Sequence, residues 1–216
     1  MELKGAVVNF LGDSITEGVG ASVPENRFTD VFAREFGAKA NNYGVSGSRI
    51  ARQIVVTDEE YDRDYCLRME EMDPDADVVV VFGGTNDFGH GDAPFGTFDD
   101  RTPDTFCGAT HTLVRTLIER YPHAEIVFIT PLHRLNENCP TGDNKPAPVA
   151  TLKDYVDAMR RILEYYSVPV LDLYAESGLQ PAVPVIQELY MPDGLHPSDA
   201  GNAILARRII QFLKNL

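Results

Sequence analysis

Short apolar runs alternate with stretches of helical periodicity from one end of this chain to the other. Ala6-Val7-Val8-Asn9-Phe10-Leu11 stops at Gly12, and Asp77-Val78-Val79-Val80-Val81-Phe82 stops at Gly83-Gly84. Glu125-Ile126-Val127-Phe128-Ile129-Thr130 stops at Pro131, and Val168-Pro169-Val170-Leu171-Asp172-Leu173 is a fourth run. A weaker piece, Lys39-Ala40-Asn41-Asn42-Tyr43, stands second in chain order. Runs this short and this apolar read as strands buried on both faces. Between them, Leu152, Tyr155, Val156, Met159, Ile162, Leu163 and Tyr166 fall on one helix face, with Lys153, Asp154, Asp157, Arg160, Arg161 and Glu164 on the other. Residues 105–121 repeat that rhythm, 199–213 close the chain as a helix capped by Ser198 or Asp199, and 28–36 and 62–72 are shorter candidates. Strands alternating with helices pair in parallel through right-handed crossovers. The expected architecture is a three-layer α/β/α sandwich around a parallel sheet of about five strands, in one domain over residues 1–216.

Composition narrows the function classes. The chain has 33 acidic against 19 basic residues, a net charge of −14. No basic stripe is left to neutralise phosphates, so nucleic acid is excluded as a partner, and anionic lipid surfaces are disfavoured. Hydrophobic residues at 44% exclude disorder of the whole chain. No apolar run approaches the roughly 18–20 residues of a membrane span, so no membrane insertion is expected. Met1-Glu2-Leu3-Lys4-Gly5 and the short apolar run after it, interrupted by Asn9, do not make a signal peptide. The expectation for a chain beginning there is a cytoplasmic protein. Nothing in the sequence fixes an oligomeric state.

The sequence carries no cofactor signature. Cys66, Cys107 and Cys139 are odd in number and widely spaced, so they read as free, buried or half-buried thiols. The histidines form no H-x-H or H-E-x-x-H pair, so no metal is expected. Asp73, Asp75 and Asp77 have calcium-loop spacing, but Val78 stands where that loop requires glycine. Gly18 and Gly20 begin like a dinucleotide fingerprint that Val23 breaks. No cofactor is expected.

The polar residues just past the strand ends carry the chemistry. They are Gly12-Asp13-Ser14-Ile15-Thr16, Asn42-Tyr43-Gly44-Val45-Ser46-Gly47, Gly83-Gly84-Thr85-Asn86-Asp87 and, before the last helix, Asp193-Gly194-Leu195-His196. In an open parallel sheet such segments converge on one edge. Acyl transfer needs a hydroxyl nucleophile, an imidazole base, an orienter for that base, and donors aimed at the oxyanion. Ser14 is a candidate nucleophile and His196 a candidate base, with Asp193 three residues before it. Two glycines and an Asn amide could be the donors.

These four blocks, in this order, resemble the GDSL esterase/lipase family, also called SGNH hydrolases, over the whole chain. The first block reads Gly-Asp-Ser-Ile rather than Gly-Asp-Ser-Leu, which leaves the chemistry intact. The resemblance implies a flavodoxin-like fold and a serine esterase acting through an acyl-enzyme on a small-molecule ester. It implies Ser14 as nucleophile, His196 as base and Asp193 as its orienter. The oxyanion hole would be built from the Ser14 and Gly47 N–H groups and the Asn86 amide, with Gly47 preferred to Gly44 from the Ser-Gly pattern.

Competing readings stand beside this one. Gly44-Val45-Ser46-Gly47-Ser48 is a near miss to a nucleophile elbow; its fifth position is Ser and no strong strand leads into it. A silent binding protein on the same fold is possible in principle, and lysophospholipids or thioesters are alternative substrates within the family. Two loops, 88–103 and 131–148, are long enough to be functional or mobile. Their middle stretches, 90–100 and 135–145, are polar and turn-rich, with Phe95, Phe98 and Leu135 as the large apolar groups. Short acyl groups are therefore expected over long ones, acetyl esters of carbohydrate among them.

Overall fold

The computed structural model describes residues 4–59 and 62–216. The N-terminal reading that rests on Met1, Glu2 and Leu3 lies outside them. Five strands, β1 (Val7–Gly12), β2 (Lys39–Gly44), β3 (Val78–Phe82), β4 (Glu125–Ile129) and β5 (Val170–Leu171), form one sheet in the order β2-β1-β3-β4-β5. Every pairing is parallel. Nine α-helices are assigned among the described residues: α1 (Ser14–Glu17), α2 (Phe28–Phe36), α3 (Tyr65–Arg68), α4 (Thr85–Gly89), α5 (Phe106–Arg120), α6 (Leu152–Tyr165), α7 (Leu173–Glu176), α8 (Pro184–Tyr190) and α9 (Asp199–Lys214). None is long and apolar enough to cross a membrane.

Alternation along the strands sorts the core into two layers. Val8, Phe10, Val78, Val80, Phe82, Val127 and Ile129 pack with Phe28 and Phe32 of α2 and Leu205 and Ile209 of α9. Leu11, Val79, Val81, Ile126 and Phe128 pack with α5 and α6 through Leu113, Leu117, Tyr155, Met159 and Ile162. The result is the expected three-layer sandwich with a five-stranded parallel sheet.

The differences from expectation have local causes. β5 pairs over two residues rather than six. Pro169 has no N–H for the ladder, and Asp172 turns away to cap α7, its Oδ1 accepting from Ala175 N at 3.2 Å. The helix expected over 62–72 is the single turn of α3 followed by a 3₁₀ turn, Met69–Glu71. It starts where Asp64 accepts from Leu67 N at 2.9 Å. The sequence reading did not contain α7 or α8, and no residue of α8 is buried.

Phe32 is fully buried, edge-on to Phe10 at 5.2 Å and stacked on Phe36 at 5.3 Å. Truncating it to Ala should cost about 3–5 kcal/mol of stability, as for other buried Phe. Equilibrium urea unfolding measures this; a loss under about 1 kcal/mol would contradict the packing described.

Candidate active site

Register sets the site. Gly12 at the end of β1 lies opposite Gly44 of β2 and Phe82 of β3, so the three chains leave the sheet side by side. Asp13 caps α1, its Oδ1 accepting from Ile15 N at 3.0 Å, which leaves Ser14 as the first helical residue. The Ser14 Oγ lies 2.9 Å from His196 Nε2, across 182 residues of sequence. His196 Nδ1 lies 2.6 Å from Asp193 Oδ2. The other oxygen of Asp193 accepts from the N–H groups of Leu195 at 2.9 Å and His196 at 2.7 Å. Burial works to raise the Asp193 pKa, but the hydrogen bonds from His196 and Leu195 outweigh it and hold the carboxyl below its ordinary range. An ionised Asp193 keeps the imidazole proton on Nδ1, so Nε2 is the acceptor for the Ser14 hydroxyl.

The expected donors lie on the neighbouring turns. Gly47 sits at φ +74°, in the left-handed region. Among the described residues neither the Gly47 N–H nor the Ser14 N–H has a protein acceptor. Gly44 differs. Its N–H is taken by Asn42 Oδ1 at 2.8 Å. A Cβ there would stand 2.1 Å from Glu17 N, so this glycine serves the close approach of β2 to α1. One amide hydrogen of Asn86 goes to Ser48 O at 3.1 Å, and the second is left over. Ser46 has no imidazole partner. Its Oγ and its N–H both donate to Glu17 Oε2, at 2.5 and 2.7 Å. The strand missing from the elbow reading does exist, since β2 runs to Gly44, yet the Ser46 hydroxyl is engaged elsewhere.

Sequence reasoning missed the buried groups beneath these turns. Asp87 forms no local cap: its carboxylate reaches across to Ile50 N and Ala51 N at 3.0 and 2.9 Å. Burial raises its pKa against the pull of those two donors. Asp13 is buried too, and desolvation pushes its carboxyl up to about 7. Arg68 is buried and donates to Gly12 O at 3.0 Å, Ser48 Oγ at 2.7 Å and Tyr43 O. A charged residue on a short helix carries no signal in a single sequence that it points inward.

The long loops are anchored. Arg134 grips both carboxylate oxygens of Asp143, at 2.7 and 2.6 Å, and Lys145 Nζ donates to Asp87 O at 2.6 Å. Leu135 N donates to Gly194 O at 2.9 Å. The 131–148 loop therefore braces both α4 and the turn that carries His196. In the other loop Phe95 packs on Phe106 and Tyr155, and Phe98 on His111 and Tyr165. Cys107 is buried, Cys66 and Cys139 are half-buried, and all three are free thiols. Among the described residues no group of three or more His, Cys, Asp or Glu is placed to hold a metal ion.

Residues 10–204 match the model of the GDSL-like lipase/acylhydrolase family. The chain belongs to that family. It is 31% identical over 148 residues to a GDSL lipase of Mycobacterium tuberculosis, a match covering 68% of this chain and 54% of that protein. The matched segment thus spans about half the length of that relative. A solved protein from Lactobacillus plantarum is 31% identical with a TM-score of 0.83, each chain covered to 98%. A two-domain esterase active on acetylated mannans aligns with 98% of this chain and 49% of its own, at 23% identity and a TM-score of 0.61. At that identity the likeness is one of fold.

Asp13 supplies a pH prediction. Its carboxyl titrates near 3.8 when unfolded and at about 7 in the fold. Between those values the folded state holds a proton that the unfolded state has lost. The stability that Asp13 contributes is therefore fully present below 3.8 and declines as pH rises through about 7. Urea unfolding of wild type and Asp13→Asn from pH 4.5 to 8 should show wild type losing stability relative to the variant as pH rises. A difference that does not change with pH would refute the assignment.

Proposed function

We propose that this protein is a serine esterase that cleaves short-chain carboxylic esters, acetyl groups on carbohydrate among them, through an acyl-enzyme on Ser14. The observation that carries the reading is the continuous hydrogen-bonded chain from Ser14 Oγ through His196 to Asp193. His196 Nε2 takes the hydroxyl proton as Ser14 Oγ attacks the ester carbonyl carbon. Asp193 holds the tautomer and stabilises the imidazolium. The negative charge gathers on the former carbonyl oxygen, where the Ser14 N–H, the Gly47 N–H and the free amide hydrogen of Asn86 receive it. Collapse expels the alkoxide, which takes the proton from His196. Water then enters by the same route, with His196 as base, and releases the acid.

Acyl preference follows from where the loop phenylalanines go. An apolar acyl channel would gain about 0.8 kcal/mol for each further buried CH₂. Phe95 and Phe98 are committed to the aromatic contacts with α5 and α6, and Leu135 lies against Gly194. The two phenylalanines are therefore not spare lining for a long chain, and the exposed Leu135 is a single apolar group.

Ser14→Ala should abolish ester hydrolysis with an unchanged circular dichroism spectrum, and His196→Ala should be nearly as damaging. Asp193→Asn should do less harm, and the losses should not add, because the three act as a unit. Asn86→Ala should lower kcat by about 10²–10³-fold. Activity within about tenfold of wild type in Ser14→Ala would sink the reading.

Across p-nitrophenyl esters from acetate to palmitate, kcat/KM should be highest for acetate to butyrate. A value that climbs through octanoate would point to a lipid substrate instead.

A further inference from the structure

Arg68 is 5% exposed, yet among the described residues no carboxylate forms an ion pair with it. Burying a guanidinium without such a partner is unfavourable unless its donors are met and its charge is used. Its two terminal nitrogens donate to groups drawn from three segments. They are Gly12 O at the end of β1, Tyr43 O in β2, and Ser48 Oγ in the turn beyond. Ser48 is a junction. Its Oγ accepts from Arg68 and donates to Val45 O at 2.6 Å, while its carbonyl accepts the amide of Asn86 at 3.1 Å. Gly12 lies two residues before Ser14, and Ser48 directly follows Gly47. Arg68 thus bonds to, or is one bond removed from, each segment that carries an oxyanion donor.

We propose that Arg68 is a positioning residue for the oxyanion hole, which also sets a fixed positive charge behind it. This inference rests on the esterase reading above. The guanidinium holds the Ser48 side chain, and with it the turn that presents the Gly47 N–H, while the Ser48 carbonyl holds the Asn86 amide. Its field favours negative charge on the substrate oxygen, which exists in the transition state and not in the bound ester. A planar fork with several donors suits three acceptors at different angles, and an ammonium does not.

The test compares wild type with Arg68→Met, Arg68→Lys and the milder Ser48→Ala. It reads kcat and KM for p-nitrophenyl acetate and the inhibition constant of an acetyl-sized trifluoromethyl ketone, whose serine adduct carries the oxyanion. Arg68→Met should lower kcat by about 10²-fold with little change in KM, and weaken the ketone by a similar factor. Arg68→Lys, which keeps the charge, should recover part of the loss, and Ser48→Ala should fall between wild type and Arg68→Met. Across the series the logarithm of the ketone constant should track that of KM/kcat with a slope near one. Should Arg68→Met fail to fold, the Lys and Ala variants still define that slope. A slope near zero, or a kcat in Arg68→Met within about threefold of wild type, would overturn the role of Arg68. Activity that survives in Ser14→Ala would overturn the esterase reading and this inference with it.

Discussion

Parallel register at the carboxyl edge of three strands is the constraint on which the rest of this structure depends. With Gly12 level with Gly44 and Phe82, the turns carrying Ser14, Gly47 and Asn86 emerge side by side. A slip of one residue in either pairing would turn every side chain of that strand to the opposite layer. The two-layer core excludes such slips, because the large groups of β1 and β3 already fill both faces. Packing of Phe10 against α2, and of Val79 and Val81 against α5 and α6, thereby fixes the site at a distance.

Precision at the site comes from polar groups that the core has enclosed. Asp87 spans from α4 to the backbone of residues 50 and 51, and Arg68 gathers Gly12, Tyr43 and Ser48, while at the surface the exposed Glu17 clamps Ser46. Each ties one turn to another instead of satisfying its own. The 131–148 loop adds an outer brace through Arg134, Lys145 and Leu135. Buried donors and acceptors left unmet are unfavourable, so a network satisfied in only one arrangement holds the turns in that arrangement.

Strands and long helices were legible because apolar periodicity reports burial directly. The Val-rich run became β3, and six of the seven apolar residues over 152–166 became the buried face of α6, with Tyr166 half-buried at its C-cap. Ser14, His196, Asp193 and Asn86 were legible because short polar segments recur at strand ends in a recognisable order. The choice of Gly47 over Gly44 rested on pattern alone, and it acquires a physical basis only with the Asn42 bond that occupies the Gly44 N–H. What stayed hidden depends on long-range partners. Nothing near Arg68 or Asp87 in sequence says that either is buried, because their partners lie 20 to 56 residues away. The two-residue β5 was misjudged because Leu173 is apolar as the first residue of a helix rather than the last of a strand. Phe95 and Phe98 stand in a polar loop, and nothing local in sequence shows that they pack on α5 and α6.

The central claim is that the Ser14 hydroxyl is the one that His196 activates. Native protein treated with a fluorophosphonate, digested, and mapped by mass spectrometry tests it most directly. The account predicts one adduct, on Ser14, formed in the native state, lost on prior denaturation, and strongly slowed in His196→Ala. An adduct on Ser46, or labelling of Ser14 that is indifferent to both denaturation and His196, would contradict it.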